Sequence, residues 1–208
     1  MMLIITCEHA SNAMPSGARK LKIPHEVLDS HRGYDIGALP IYKELVNRLK
    51  PDFCSAGEFS RLFIDLNRSL RNNKNLFNEF WEAYDSQQIE DLKKQALDYH
   101  QKYRGAVETF VKNNKDTPII HLAIHSFTPV LNGVTRNADV GILYDPSRIM
   151  ERNLADVFIH EIHARAPELK VRKNYPYLGK TDGLCTRLRK LSPFYVGFEI
   201  EFNQRLFG

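Results

Sequence analysis

MLIITCEHASN, residues 2–12, decides the reading of this chain. Leu3, Ile4 and Ile5 form a short uncharged apolar run, which reads as a strand buried on both faces. A carboxylate, an imidazole and small polar residues follow at once, in Glu8, His9, Ser11 and Asn12. In an open α/β sheet, ligands bind in the crevice at the carboxyl ends of the strands. The question is therefore whether other strands end the same way.

Four further stretches read as strands: RLFID (61–65), PIIHLAIH (118–125), VGILYD (140–145) and YVGFEIEF (195–202). Helical patterns alternate with them. Ile36, Leu39, Ile41, Leu45, Val46 and Leu49 recur near a 3.6 period and Pro51 stands beyond. A second pattern runs from about Gln87 to Asn113, and a third from about Ser147 to Ala164 between Pro146 and Pro167. This alternation predicts an α/β fold, a three-layer sandwich whose mixed, mainly parallel sheet is covered by helices on both faces. Segments 69–86 and 168–194 have little periodicity and more Asn, Tyr, Pro and Gly, and read as long loops or short helices near a site. With 208 residues, 43% hydrophobic content and no linker, the chain is expected to form one domain, 1–208.

The formal net charge of +4 is spread among 25 acidic residues without a basic block, which argues against nucleic acid as a partner and suits a small anion. Cys7, Cys54 and Cys185 lie far apart without CxxC spacing, so neither a disulfide framework nor a cysteine zinc site is expected. No stretch has the length of a membrane helix or the pattern of a signal peptide, and a soluble cytoplasmic protein is the expectation.

The strand ends do gather reactive groups. The first ends in Glu8 and His9, the second runs through Asp65 into Asn67 and Arg68, the third ends in His125 and Ser126, and the last carries Glu199 and Glu201. Taken singly, a histidine after an apolar run is more often a hydrogen-bonded structural residue than a ligand. Two at separate strand ends, with a third oxygen ligand, make the protein part of a catalytic zinc site that keeps one position open for water. HRGYDIGA (31–38) adds His31 and Asp35, which would share a face if the backbone were helical. Alternatively, Asp35 complements a helix dipole. Arg61 and Arg68 flank the second strand, and an arginine beside Asn67 is shaped to hold a carboxylate by two parallel hydrogen bonds. Arg136 in NGVTRNAD is a weaker candidate of the same kind. Glu199 and Glu201 share one strand face, where a carboxylate is costly to bury without a partner.

TCEHASNAMP, HRGYDIGA, SRLFIDLNR, IHSFTPVLNG, NYPYLG and FEIEF, in that order, make the chain resemble the N-formylglutamate amidohydrolase family. That family has a fold similar to the zinc-dependent carboxypeptidases, with HASN resembling their HxxE metal motif and DLNR their DxNR segment. The resemblance implies one divalent metal, zinc, held by His9 and His125. Asn12 stands where the carboxypeptidases have a glutamate ligand, so the third ligand is taken as Asp35, with Glu8 and His31 behind it. It further implies Asn67 and Arg68 as holders of the substrate carboxylate, with Ser126 and Arg136 also in contact and Arg61 assisting catalysis. Glu199 would be the general base for amide hydrolysis of a small anionic N-acyl amino acid, N-formylglutamate foremost, with Glu201 as its alternate. Rival readings are an amidase or carboxypeptidase for another acylated amino acid or small peptide, and a binding protein that has lost the metal through Asn12. His100 in YHQKYR also belongs to the family's pattern, with a place near the site or a buried structural hydrogen bond both open. Glu8, adjacent to His9 in an extended chain, points away from it and reads as a support.

Overall fold

Side chains alternate along a strand, so each strand divides its apolar residues between two layers. In the computed structural model, which describes residues 1–71, 76–82 and 87–207, Met2 and Ile4 of β1 (Met2–Cys7) face one layer, and Leu3, Ile5 and Cys7 the other. β1 lies between β2 (Phe53–Ala56) and β3 (Ile119–Phe127), parallel to both. β3 pairs in parallel with β8 (Tyr195–Asn203) along its whole length, from Ile119 opposite Tyr195 to Phe127 opposite Asn203. β8 runs antiparallel to β6 (Val140–Leu143), which is parallel to β7 (Val171–Lys173). The sheet order is β2-β1-β3-β8-β6-β7, a mixed and mostly parallel sheet. A separate hairpin joins β4 (Val130–Leu131) to β5 (Val134–Thr135), and its turn residues Asn132 and Gly133 both have positive φ, as a two-residue type I′ hairpin turn requires.

Besides the single turn α1 (His25–Leu28), the described helices are α2 (Ala38–Leu49), α3 (Gln87–Asn113), α4 (Ile149–Arg165) and α5 (Leu184–Leu188). α3 turns Ile89, Leu92, Ala96, Tyr103, Val107 and Val111, three, four or seven residues apart, toward Ile4, Ile119 and Tyr195. α2 places Ala38 and Tyr42 against Ile5, Cys7 and Ile124 on the opposite face, and α4 covers Val140, Ile142, Val196 and Phe198 on that same side. Helices therefore cover both faces. α2 begins later than the periodicity suggests because Gly37, at φ 82, breaks the helical path.

RLFID is not a strand. Residues 61–68 form a turn-rich buried loop, and the second strand of the chain is β2, which the hydrophobic pattern did not single out. An apolar run of this length cannot be told from a buried loop by periodicity alone. The loop is tolerated inside because its backbone groups find partners elsewhere. Arg61 N–H donates to Gly33 O at 3.1 Å, and Asp65 N–H to Leu76 O at 3.1 Å. Leu62 O accepts from Trp81 Nε1 at 3.2 Å, and Leu66 O from Arg104 Nη1 at 2.9 Å.

The 168–194 segment contains β7 and α5, joined by a strap over residues 174–183. Of 69–86, a 3₁₀ turn at Glu79–Trp81 is seen, and 72–75 and 83–86 lie outside the described residues. All three cysteines are free thiols. Among the described residues, no helix is long and apolar enough to cross a membrane.

Phe63, buried in the 61–68 loop against Phe59, Trp81 and Tyr99, tests whether that loop is core. Phe63→Ala should cost about 3–5 kcal/mol, a fall in Tm on the order of 10 °C for a chain of this size. A thermal melt shifted by less than about 2 °C would place Phe63 outside the core.

Candidate active site

The floor of the site is built around Asp35. Asp35 N–H donates to His9 O at 2.9 Å, which lays the 31–37 turns against the end of β1. Ser126, at the end of β3, reaches the same turns from the other side: its N–H donates to Asp35 Oδ2 at 3.2 Å and its hydroxyl to Ile36 O at 2.7 Å. Gly33 sits where no side chain fits, since a Cβ there would lie 2.0 Å from Leu28 O. The stretch is thus turns rather than the helix that would align His31 with Asp35.

Two imidazoles face this carboxylate. His125 Nδ1 is 2.9 Å and His9 Nδ1 3.4 Å from Asp35 Oδ2, and the rings meet edge to face with centroids 5.2 Å apart. Each ring has a carboxylate at its back. His9 Nε2 is 2.7 Å from Asp65 Oδ1, and His125 Nε2 is 3.0 Å from Glu8 Oε2. Tyr103 of α3 donates to Glu8 Oε1 at 3.1 Å, and Arg61 pairs with Asp35 Oδ1.

A cleft of about 420 Å³ opens above, bounded by Asn67 and Arg68 on one wall, Glu199 and Glu201 of β8 on the floor, and Tyr177, Leu178, Thr181 and Asp182 of the strap. Asn67 Oδ1 accepts from Leu184 N–H at 2.8 Å, and Arg68 Nη1 donates to Asp182 O at 2.6 Å. From below, α3 fixes this wall: His100 Nε2 donates to Arg68 O at 2.8 Å and Arg104 Nη1 to the same oxygen at 3.2 Å. His100 therefore has the buried structural hydrogen bond.

His9, Asp35, His125, Arg61, Asn67, Arg68, Ser126 and Glu199 all line the cleft. Arg136 does not, and stands behind Tyr177. Of the other ligand candidates, Asn12 spends its amide on Asp29 Oδ1 at 2.7 Å, His31 is exposed on its turn, and Glu8 lies behind His125. Asp65 as the partner of His9 was not foreseen, although DLNR contains it. Tyr177 of the strap carried no signal beyond its place in NYPYLG.

The family model described as N-formylglutamate amidohydrolase matches residues 1–207. The chain belongs to the N-formylglutamate amidohydrolase family. It is a hydrolase acting on an amide bond. A gene product of Agrobacterium tumefaciens of known structure is similar at 28% identity and a TM-score of 0.78, over 98% of this chain and 81% of that one. An N-formylglutamate amidohydrolase structure from Ralstonia eutropha JMP134 has the same fold at 18% identity and a TM-score of 0.65, over 99% and 83% of the two chains. No curated protein matched.

Within this amidohydrolase, candidate ligand atoms of His9, Asp35 and His125 lie within 4.8 Å of one another. His9 Nδ1 is buried without a hydrogen-bond partner while its other nitrogen is held by Asp65. Two imidazole nitrogens and a carboxylate oxygen are the protein donors of a catalytic zinc, and a carboxylate behind each imidazole fixes its tautomer and orientation. The residues fit such an ion.

In the metal-free amidohydrolase, burial would raise the Asp35 pKa, but Arg61, His9 and His125 hold it well below the ordinary value. Burial would lower that of His125, yet Asp35 and Glu8 raise it well above 6.5. Glu201 is pushed to about 7, chiefly by burial and also by Asp35 and Glu199, against the opposing pull of His125 and Arg61.

The Glu8 carboxyl, which burial would raise, is brought from 4.5 to about 2 by His125. A depressed carboxylate stabilises the fold above its unfolded pKa and loses that contribution as pH falls through the folded one. For Glu8 the contribution is about 3 kcal/mol, shared with its partner His125. The chelated protein should therefore melt progressively lower from about pH 5 to about pH 2. Glu8→Gln should melt lower than wild type near neutrality and decline less steeply in acid. Parallel profiles for the two proteins would show that Glu8 is not ionised in this pair.

Proposed function

We propose that this family member hydrolyses N-formyl-L-glutamate to formate and glutamate, using one divalent metal, zinc by donor type, held by His9 Nδ1, His125 Nδ1 and Asp35 Oδ2. The observation that carries the reading is the convergence of these three buried donors beside two carboxylates at the bottom of a cleft with a cationic wall. The ion, when bound, supplies Lewis acidity that lowers the pKa of a bound water and polarises the formyl carbonyl.

The chain's own residues do the rest. Asp65 holds Nε2 of His9 by a hydrogen bond and Glu8 stands 3.0 Å from Nε2 of His125 as an ion-pair partner, which leaves both Nδ1 atoms on the side of Asp35. A carboxylate of β8 takes one proton from the attacking water and returns it to the amine as the carbon–nitrogen bond breaks, leaving the water's oxygen in formate. FEIEF points to Glu199 for this role, but two observations favour Glu201. Its register position lies directly opposite His125, and its Oε2 is buried with no hydrogen-bond partner. Glu199 instead leans toward Asn67, its Oε1 3.5 Å from the amide nitrogen. Arg61, which lines the cleft beside Asp35 and has an Nε with no partner, answers the charge developing on the formyl oxygen. Asn67 and Arg68 receive the α-carboxylate, and Ser126 keeps Asp35 in place. Free thiols and the absence of a long apolar helix among the described residues support a cytoplasmic setting.

Protein purified without chelator should carry one metal per chain by elemental analysis, and His125→Ala should lose both the metal and formate release. Glu201→Gln should keep the metal and lose about 100-fold or more in kcat, while Glu199→Gln loses less than about tenfold. Unchanged metal content in His125→Ala overturns the metal site, and a larger loss in Glu199→Gln moves the base to that residue. Release of amine from other N-acyl amino acids but not from N-formylglutamate would reject the substrate.

A further inference from the structure

Arg61 and Arg68 each have an aspartate nearby, but among the described residues Arg136 has no carboxylate partner. It is only 8% exposed, and its Nη1 is buried with no hydrogen-bond partner. Its backbone is pinned at both ends: the N–H donates to Pro129 O at 2.8 Å and the carbonyl accepts from Asn203 Nδ2 at 3.3 Å. The guanidinium lies between two rings, 5.9 Å from the centroid of Phe127 and 5.1 Å from that of Tyr177. Such stacking holds the plane of the group but leaves its in-plane donors free. A buried donor without an acceptor is a cost to the fold unless a ligand supplies the acceptor.

The position says which ligand. Phe127 follows Ser126, which lines the cleft, and Tyr177 is part of the cleft wall and half exposed. Arg136 thus stands one aromatic ring away from the space that holds the substrate, apart from the Asn67–Arg68 wall. N-formylglutamate carries two carboxylates separated by three carbons, and one wall accounts for one of them. We propose that Arg136 binds the second carboxylate once the Tyr177 ring shifts aside, and so selects dicarboxylic over monocarboxylic N-acyl amino acids. The assignment rests on the substrate class proposed above, so its test is made on binding as well as turnover.

Calorimetry would compare glutarate with its half-amide glutaramate, in which a neutral amide replaces one of the two carboxylates, on the metal-loaded wild type and on Arg136→Ala and Arg136→Lys, each checked by circular dichroism. Wild type should prefer glutarate by about 10- to 100-fold. Arg136→Ala should bring that preference close to one, and Arg136→Lys should restore part of it. If Arg136→Ala does not fold, Arg136→Gln makes the same comparison. A preference undiminished in the folded variants, or absent from wild type, overturns the assignment. Turnover of N-formylglutamate against N-formylglutamine separates the two proposals. No turnover of either with a collapsed binding preference rejects the hydrolase reading and keeps Arg136, whereas good turnover with an undiminished preference does the reverse.

Discussion

A carboxylate buried away from water must be answered by cations or donors, and Asp35 is answered from four directions. His125, the Ser126 amide and Arg61 bind it directly, and His9 stands just beyond hydrogen-bond distance. These partners come from the end of β1, the end of β3 and the 61–68 loop, so one side chain ties together three segments remote in sequence. The satisfaction of Asp35 explains why a polar turn replaces a longer helix before Ala38 and why the 61–68 loop dips into the interior instead of joining the sheet. It also sets the electrostatics of the floor. Burial, with Asp35 and Glu199 close by, makes Glu201 take up a proton more readily than an ordinary glutamate, against the pull of His125 and Arg61.

Much of this architecture was legible as pattern. The strands 2–7, 118–125 and 195–202 announced themselves because central parallel strands need apolar residues on both faces. α2 and α3 were legible for a different reason, one apolar stripe at a 3.6 period, and α4 from the prolines that bracket it. β2 and β7 were not, since edge strands have only one neighbour and need little hydrophobicity: FCSA is half exposed and VRK is nearly polar. RLFID misled for the converse reason, an apolar loop whose hydrogen bonds go to Trp81, Asn78 and Arg104, residues no local pattern connects to it.

The residues of the site were legible as a list, and their pairing was not. His121 and His125 share one face of β3 and look alike in sequence. His121, bonded to Thr6 and Tyr195 within the layer beneath α3, is kept neutral by burial, with a pKa near 4. His125, two pleat repeats farther along, reaches the rim and meets two carboxylates. Depth along the strand makes the difference, and it depends on where neighbouring strands end. For the same reason Asp65 could be read as a strand residue and still turn out to orient His9.

The order of strands adds a kinetic dimension. Among the described strands β8 comes last, yet it lies between β3 and β6 and pairs with the whole of each. Until it is inserted, both neighbours are open sheet edges lined with Ile, Val and Leu, surfaces prone to pair with another chain. Parallel, long-range pairing of this kind is slow to form. The same insertion brings Glu199 and Glu201 to the histidines and closes the sheet, so the hydrolytic floor and the protection against aggregation arise in one step. A chain arrested before that step would be inactive and adhesive together, which makes the rate of β8 docking the quantity on which recovery of active protein turns.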